Sequence, residues 1–185
     1  MVSGIASSRL EDRGSYFLGL EVLHRPSKLK YNLINIYGPA DHSKTVEFLD
    51  EITGKIERCH SPVIMGGDFN LIRGSHDKNN DRINWPRVNL FNNYIADWGL
   101  HEVQRTGARF TWTNKCLNPV RCVLDRVFIS ASLVLSFPLC SLVAETSLGS
   151  DHTPLVLDTG EGSPIRSNHF YFETGWLALP GFDDL

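Results

Sequence analysis

The stretch Pro62-Val63-Ile64-Met65-Gly66-Gly67-Asp68-Phe69-Asn70 decides the reading of this chain. Val63, Ile64 and Met65 form the short apolar run of a buried strand, and two glycines follow where the run meets a polar loop. A carboxylate and a carboxamide two residues apart therefore stand at the mouth of a sheet. Asp68 there can take a proton from water, and Asn70 can donate to an oxygen of the same phosphate. For Asp68 alone, an Asx turn ending a strand is the structural alternative. Three further polar clusters sit on apolar strands: Asn35-Ile36-Tyr37-Gly38-Pro39, Leu124-Asp125-Arg126-Val127 and Ser150-Asp151-His152-Thr153-Pro154. Four such clusters on one short chain point to a shared phosphate-handling site.

The bulk properties suit one domain with an ample core. The chain has 185 residues, of which 42% are hydrophobic and 21% charged. A net charge of -3 does not advertise nucleic-acid binding, which usually goes with a basic surplus. Active-site carboxylates contribute to that acidity, and a bound divalent cation offsets it locally. Cys59, Cys116, Cys122 and Cys140 show no CxxC pairing and read as reduced thiols. No apolar run approaches the ~20 residues of a membrane span, and the start lacks a signal peptide's basic flank. The expected location is nuclear or cytoplasmic, not secreted.

Along the chain, residues 1–14 read as a disordered lead-in. Loose alternation over Tyr16–Leu23 and Tyr31–Tyr37 predicts a β-hairpin, whose second strand delivers Asn35 and Tyr37 to one face. Val46, Leu49, Ile52, Ile56 and Cys59 predict an amphipathic helix from Ser43, the expected N-cap, to Cys59. Arg73–Arg82 has no hydrophobic period and reads as a surface loop. A second helix is expected from about Pro86 to Trp98, with Gly99 at its C′ position. Short strands are expected near Arg109–Thr113, Val120–Ile129, Leu139–Glu145 and Thr153–Leu157. Two helices among many strands predict an α+β fold. Residues 15–158 form the expected domain, followed from 159 to 185 by a linker and an aromatic tail.

The segments GGDFNLIR, DKNN.R.NW, FTWTN, LDRVF and SDHTPL, across roughly residues 31–158, resemble the endonuclease/exonuclease/phosphatase (DNase I-like) superfamily. Within it they are most similar to the endonuclease domains of plant non-LTR retrotransposons. The resemblance implies a two-sheet β-sandwich flanked by helices, Mg²⁺ or Mn²⁺ as cofactor, DNA as substrate and a following reverse transcriptase domain. It implies catalytic roles for Asp68, Asn70, His152, Asp125 and Tyr37. His152 would contact the scissile phosphate, and Asp125 would hold its imidazole. Tyr37 would donate its hydroxyl to a phosphate oxygen. Asn35, Thr111 and Ser150 would lie at the phosphate or DNA, with Ser150 orienting Asp151 and His152. Asp151 would support metal or water, alongside Asp68 and Asn70 as ligands.

Each assignment has a structural alternative. For Asp125 it is an exposed edge-strand residue, for Tyr37 sheet-margin packing and for Thr111 plain β-propensity. Lys78, Arg82, Arg87, Arg105 and Arg109 read either as a phosphate-tracking surface or as a solvated face. Trp85 and Trp112 read as base-stacking or as core. One departure bears on activity. The relatives open with a strand bearing Asn and a second ending in a metal-binding Glu, and neither is recognisable upstream of Tyr31. The fold is therefore expected to lack the family's first strands, to expose apolar edges, and to turn over slowly or not at all. The competing functions are a non-catalytic remnant that binds nucleic acid or protein weakly, and a phosphatase acting on an inositol phosphate or lipid headgroup.

Overall fold

The computed structural model describes residues 6–25, 27–145 and 149–160. Strands β1 (Ala6–Arg13), β2 (Phe17–His24) and β3 (Leu29–Tyr37) lead into helix α1 (Thr45–Glu57) and strand β4 (Val63–Asp68). Helix α2 (Trp85–Trp98) is followed by β5 (Leu100–Glu102), β6 (Arg105–Gly107), β7 (Trp112–Thr113), β8 (Arg121–Cys122) and β9 (Asp125–Ser130). A short helix α3 (Ala131–Ser136) precedes β10 (Ser141–Ala144) and β11 (Leu155–Asp158). The large sheet runs β1-β2-β3-β4-β9-β5, a small sheet runs β11-β10-β6, and β7 and β8 form a hairpin. The α+β class is as expected.

Each strand's two-residue period sorts its side chains between two cores. On one face Ile34, Ile36, Val63, Met65 and Phe128 pack under Phe48, Leu49 and Ile52 of α1 and Phe91, Ile95 and Trp98 of α2. On the other face Ile64, Val127 and Ile129 meet Leu133 and Phe137 beside α3 and Leu142 of β10. Leu155 and Leu157 of β11 close that second core. The layering is helices, large sheet, small sheet.

Several local expectations shift. Ala6–Arg13 is a strand paired antiparallel with β2, not a disordered lead-in, because backbone pairing with a neighbour needs no apolar pattern of its own. The cap of the first helical segment is Asp41, whose carboxylate accepts from Ser43 N at 3.0 Å; Ser43 lies inside a 3₁₀ turn over His42–Lys44. Asn84 caps α2 by accepting from Arg87 N at 3.1 Å, and Gly99 closes it at φ 61°. The expected 159–185 linker and tail lie outside the described residues from 161 onward.

The loop after β4 is more deeply built than its composition suggests. Asp77 is buried within it and pairs with the Arg126 guanidinium, which also meets Glu102 Oε1 at 2.5 Å. Asp77 Oδ2 further accepts from Arg73 N at 2.7 Å and Gly74 N at 3.2 Å. Removing one partner of a buried ion pair strands the other charge at a cost of about 3–5 kcal/mol. Asp77→Ala is therefore expected to lower the thermal midpoint by roughly 6–20 °C for a domain of this size. A melting curve within about 2 °C of the parent would show that this network does not hold the loop.

Candidate active site

The site grows from the end of β4. Gly67 takes φ 141°, and a Cβ there would stand 2.1 Å from the Ile36 carbonyl oxygen, so only glycine lets β3 and β4 approach this closely. Phe69 then plunges into the helix-side core with no exposure, 5.3 Å from the Phe128 ring and 5.6 Å from the Phe91 ring. Asn70 turns the chain in the left-handed region at φ 53°, a conformation asparagine tolerates better than most side chains. Phenylalanine inward and asparagine at the turn leave Asp68 fixed between them.

Register brings the other groups to the same face. Tyr37 of β3 and Asp125 of β9 are the direct neighbours of Asp68 on its two sides. The 151–153 segment is zipped against 111–113: Thr113 N donates to Asp151 O at 3.0 Å, and Thr153 N to Thr111 O at 2.7 Å. This carries His152 over the carboxylates. Its Nδ1 lies 3.0 Å from Asp125 Oδ2, and its Nε2 faces Asp68 Oδ2 at 3.9 Å. An ionised carboxylate only accepts, so the proton sits on Nδ1 and Nε2 is turned toward Asp68. Ser150 Oγ accepts from His152 N at 3.1 Å and steadies the segment.

Three residues depart from their expected parts. Thr111 is fully buried and cannot touch DNA; its hydroxyl oxygen accepts from Leu124 N at 2.9 Å and Asp125 N at 3.0 Å. It positions Asp125 instead. Both amide protons of Asn70 are engaged inside the protein, with Gly38 O at 2.8 Å and Asp68 Oδ2 at 3.0 Å. Asn70 therefore orients Asp68, and only its Oδ1 is left for a ligand. Asp125 begins β9 rather than sitting mid-strand. Tyr37 is 71% exposed, so its hydroxyl is accessible beside Asp68, and Asn35 lies two residues earlier on the same face.

The five basic residues separate. Lys78, Arg82 and Arg87 line a cavity with Asn70. Arg109 lines a cleft of about 320 Å³ with Arg121, Asp151 and His152. Arg105 belongs to a third cavity, around Arg126, Asp77 and Glu102, on the far side of β9. Trp112 donates its indole N–H to Asp151 Oδ2 at 3.2 Å, and Trp85 is exposed at the start of α2. Sequence reasoning missed Arg121 and His42. Arg121 sits on a two-residue strand and His42 in a 3₁₀ turn, neither with a motif to mark it.

With this geometry in view, likeness to other proteins becomes interpretable. Residues 31–156 match the family described as Endonuclease-reverse transcriptase. The chain belongs to this family. The Transposon TX1 uncharacterized 149 kDa protein of Xenopus laevis is 25% identical over 166 residues, covering 85% of this chain and 12% of that protein. The chain thus spans about an eighth of that relative. The endonuclease domain of TRAS1, a telomere-specific non-LTR retrotransposon, superposes with a TM-score of 0.64 at 16% identity, covering 85% of this chain and 70% of that one. The AP endonuclease LMAP from Leishmania major gives 0.63 at 15% identity, covering 83% and 61%. The DNase I-like fold expected from the motifs is the fold observed.

Burial raises the proton affinity of the Asp68 carboxyl above the ordinary aspartate range; the Asn70 amide opposes this, while the Asp125 carboxylate adds to it. Asp151 is shifted the other way, chiefly by its own backbone N–H and by the Trp112 indole. A carboxyl that binds its proton more tightly when folded supports the fold below its unfolded pKa of ~3.9 and loses that support as pH rises through the folded value. Metal-free Asp68→Asn, which keeps no charge there, should therefore gain thermal stability over the parent as pH rises from about 4 to about 7. A difference in melting temperature that does not change with pH would contradict this. Thr111→Val, which leaves two buried amides without an acceptor, should cost about 2–4 kcal/mol, while Thr111→Ser stays close to the parent. Equal melting temperatures for the Val and Ser variants would remove Thr111 from its supporting role.

Proposed function

We propose that this domain is a metal-dependent phosphodiester hydrolase that nicks DNA, with Asp68, His152 and Tyr37 acting at the scissile phosphate and Asp125 positioning His152. The observation that carries the reading is the grip of His152 between two carboxylates from separate strands, Nδ1 on Asp125 at 3.0 Å and Nε2 facing Asp68 at 3.9 Å. The second distance is too long for a hydrogen bond and leaves an opening that a water, donating to both acceptors, can bridge.

In this reading Asp68, whose burial favours proton uptake, accepts the proton of the attacking water. The water oxygen bonds to phosphorus as the bond to the leaving oxygen breaks. Imidazole Nε2, held in one tautomer by Asp125, accepts from the attacking water and orients it, and the exposed Tyr37 hydroxyl donates to a phosphoryl oxygen. Asp125 serves as a positioning residue, and Thr111 and Ser150 stand behind it and His152 respectively.

The donor set suits a hard divalent cation such as Mg²⁺ or Mn²⁺. The Asp68 carboxylate, the uncommitted Asn70 Oδ1 and Asp151 are the oxygen donors that would hold it, and water and phosphate complete such shells. The cation would relieve charge on the phosphoryl oxygens. Among the described residues no group of three or more His, Cys, Asp or Glu converges on a single metal position, so water and phosphate would supply most of the shell. DNA is the substrate class favoured by the family described as Endonuclease-reverse transcriptase. In longer members a reverse transcriptase would share the chain.

Plasmid nicking tests the proposal. In millimolar Mg²⁺ the protein should convert supercoiled plasmid to open circles, and Asp68→Ala and His152→Ala should each lower the rate by at least ~10²-fold. Equal conversion by all three proteins would leave a non-catalytic remnant. Release of inorganic phosphate from a phosphoinositide headgroup without nicking would assign the site to a phosphatase.

A further inference from the structure

The cavity beside Asn70 is lined by charged groups that the proposed mechanism does not use. It measures about 170 Å³ and its charged lining is entirely cationic: Lys78, Arg82 and Arg87 stand beside the His42 imidazole, with no carboxylate among the lining residues. Among the described residues none of Lys78, Arg82 and Arg87 forms an ion pair with an acid. Lys78 Nζ donates only to the Arg82 carbonyl, at 2.8 Å. Burial, and after it the Arg87 and Lys78 charges against the opposing pull of the Asp41 carboxylate, makes the His42 imidazole harder to protonate. Asn84, the N-cap of the 14-residue helix α2, joins the lining, so the positive end of that helix adds to the field. Cations held together without counterions repel one another, and an anion between them relieves the repulsion. The volume is well below the ~300–1,000 Å³ of pockets for drug-sized ligands, which suits a single phosphate group.

We infer that this cavity binds a non-scissile phosphate of a polynucleotide strand, so that the site grips its substrate at two phosphates rather than one. The inference rests on the hydrolase reading for the identity of the neighbouring site, and it narrows the substrate class to a chain of phosphodiesters. Asn70 links the two positions: its amide protons hold Asp68 and the Gly38 carbonyl, while its side chain forms part of the cavity wall. A strand seated on Arg87 and Lys78 would be registered on the reaction centre through that shared residue.

Fluorescence anisotropy of a labelled DNA duplex with the full chain, in EDTA over a salt series, reads this without cleavage. Lys78→Ala, Arg82→Ala and Arg87→Ala should each weaken binding, and loss of the one phosphate they hold should reduce the slope of log K against log salt by ~0.9 in all. Lys30→Ala, which alters an exposed lysine paired with Glu21 on β3, should leave the slope unchanged. Circular dichroism melts confirm that the variants fold, and Arg87→Lys, which keeps the charge, should retain the parent slope. A Lys78→Ala/Arg87→Ala protein that folds and binds with the parent affinity and slope overturns the inference, as does a parent that does not bind DNA. Inositol hexakisphosphate bound through the same cations, without DNA binding, would overturn the polynucleotide in favour of a phosphomonoester. Binding with the expected slopes but no plasmid nicking would sustain the cavity while defeating the hydrolase reading. Nicking with slopes indifferent to these cations would do the reverse.

Discussion

Pairing β4 with β9 in the register that sets Asp68 against Asp125 places two carboxylates side by side on one face of a sheet. Like charges directly opposite each other weaken a strand pair, and partial burial removes much of the water that would screen them. The structure meets this cost with donors. Asp68 accepts from Asn70 N at 2.9 Å and from the Asn70 amide group. Asp125 holds the imidazole of His152, and its own backbone N–H is taken by Thr111. Apolar surroundings, and after them the neighbouring Asp125 carboxylate, make Asp68 a better proton acceptor than an aspartate in water.

The rest of the fold keeps the confrontation from relaxing. Strand β4 cannot slide, since Met65 and Phe69 are locked with Phe48, Phe91 and Phe128 beneath α1 and α2. Strand β9 is held from both sides. Val127 and Ile129 are embedded in the inter-sheet core, while Arg126 is tied on the helix side to Asp77 and Glu102. A one-residue slip would turn Arg126 toward the site and bury Asp125 among aromatic rings, so the buried ion pair specifies register as well as holding the loop. The two faces of β9 thus carry opposite charge for one reason: each polar side chain has its partners on only one side of the sheet.

Much of this was legible in the sequence, and what escaped shares a physical cause. The ends of β3 and β4 were readable because apolar runs stop at polar residues with distinct chemistry, as in Gly67-Asp68-Phe69-Asn70. Helix α2 was readable from its stripe and Gly99. By contrast β1 carries Ser7-Ser8-Arg9-Leu10-Glu11-Asp12, with no pattern of its own, and becomes a strand through pairing with β2. Asp77 looked solvated in a run of Asp, Asn and Lys, because its partner Arg126 is 49 residues away and nothing local announces the pair. Thr111 suggested a ligand contact by resemblance, whereas its burial behind Leu124 and Asp125 emerges only from the tertiary path of the chain. Strand-end chemistry is local information; burial of a polar residue is not.

The acidic balance of the chain shows the same limit at the level of charge. A total of -3 sums over groups that never act together. The acids nearest the reaction centre, Asp68, Asp125 and Asp151, are occupied by an amide, an imidazole and an indole. Beside them Lys78, Arg82 and Arg87 line one cavity, while Arg109 and Arg121 line the other. A phosphate chain crossing this surface meets cations on both sides of a small carboxylate centre, and the attraction falls off within a Debye length of ~10 Å. Acids on distant surfaces lie beyond that range and contribute little. A mildly acidic protein can therefore present a cationic track, and the arrangement of charge, not its sum, decides what the surface will bind.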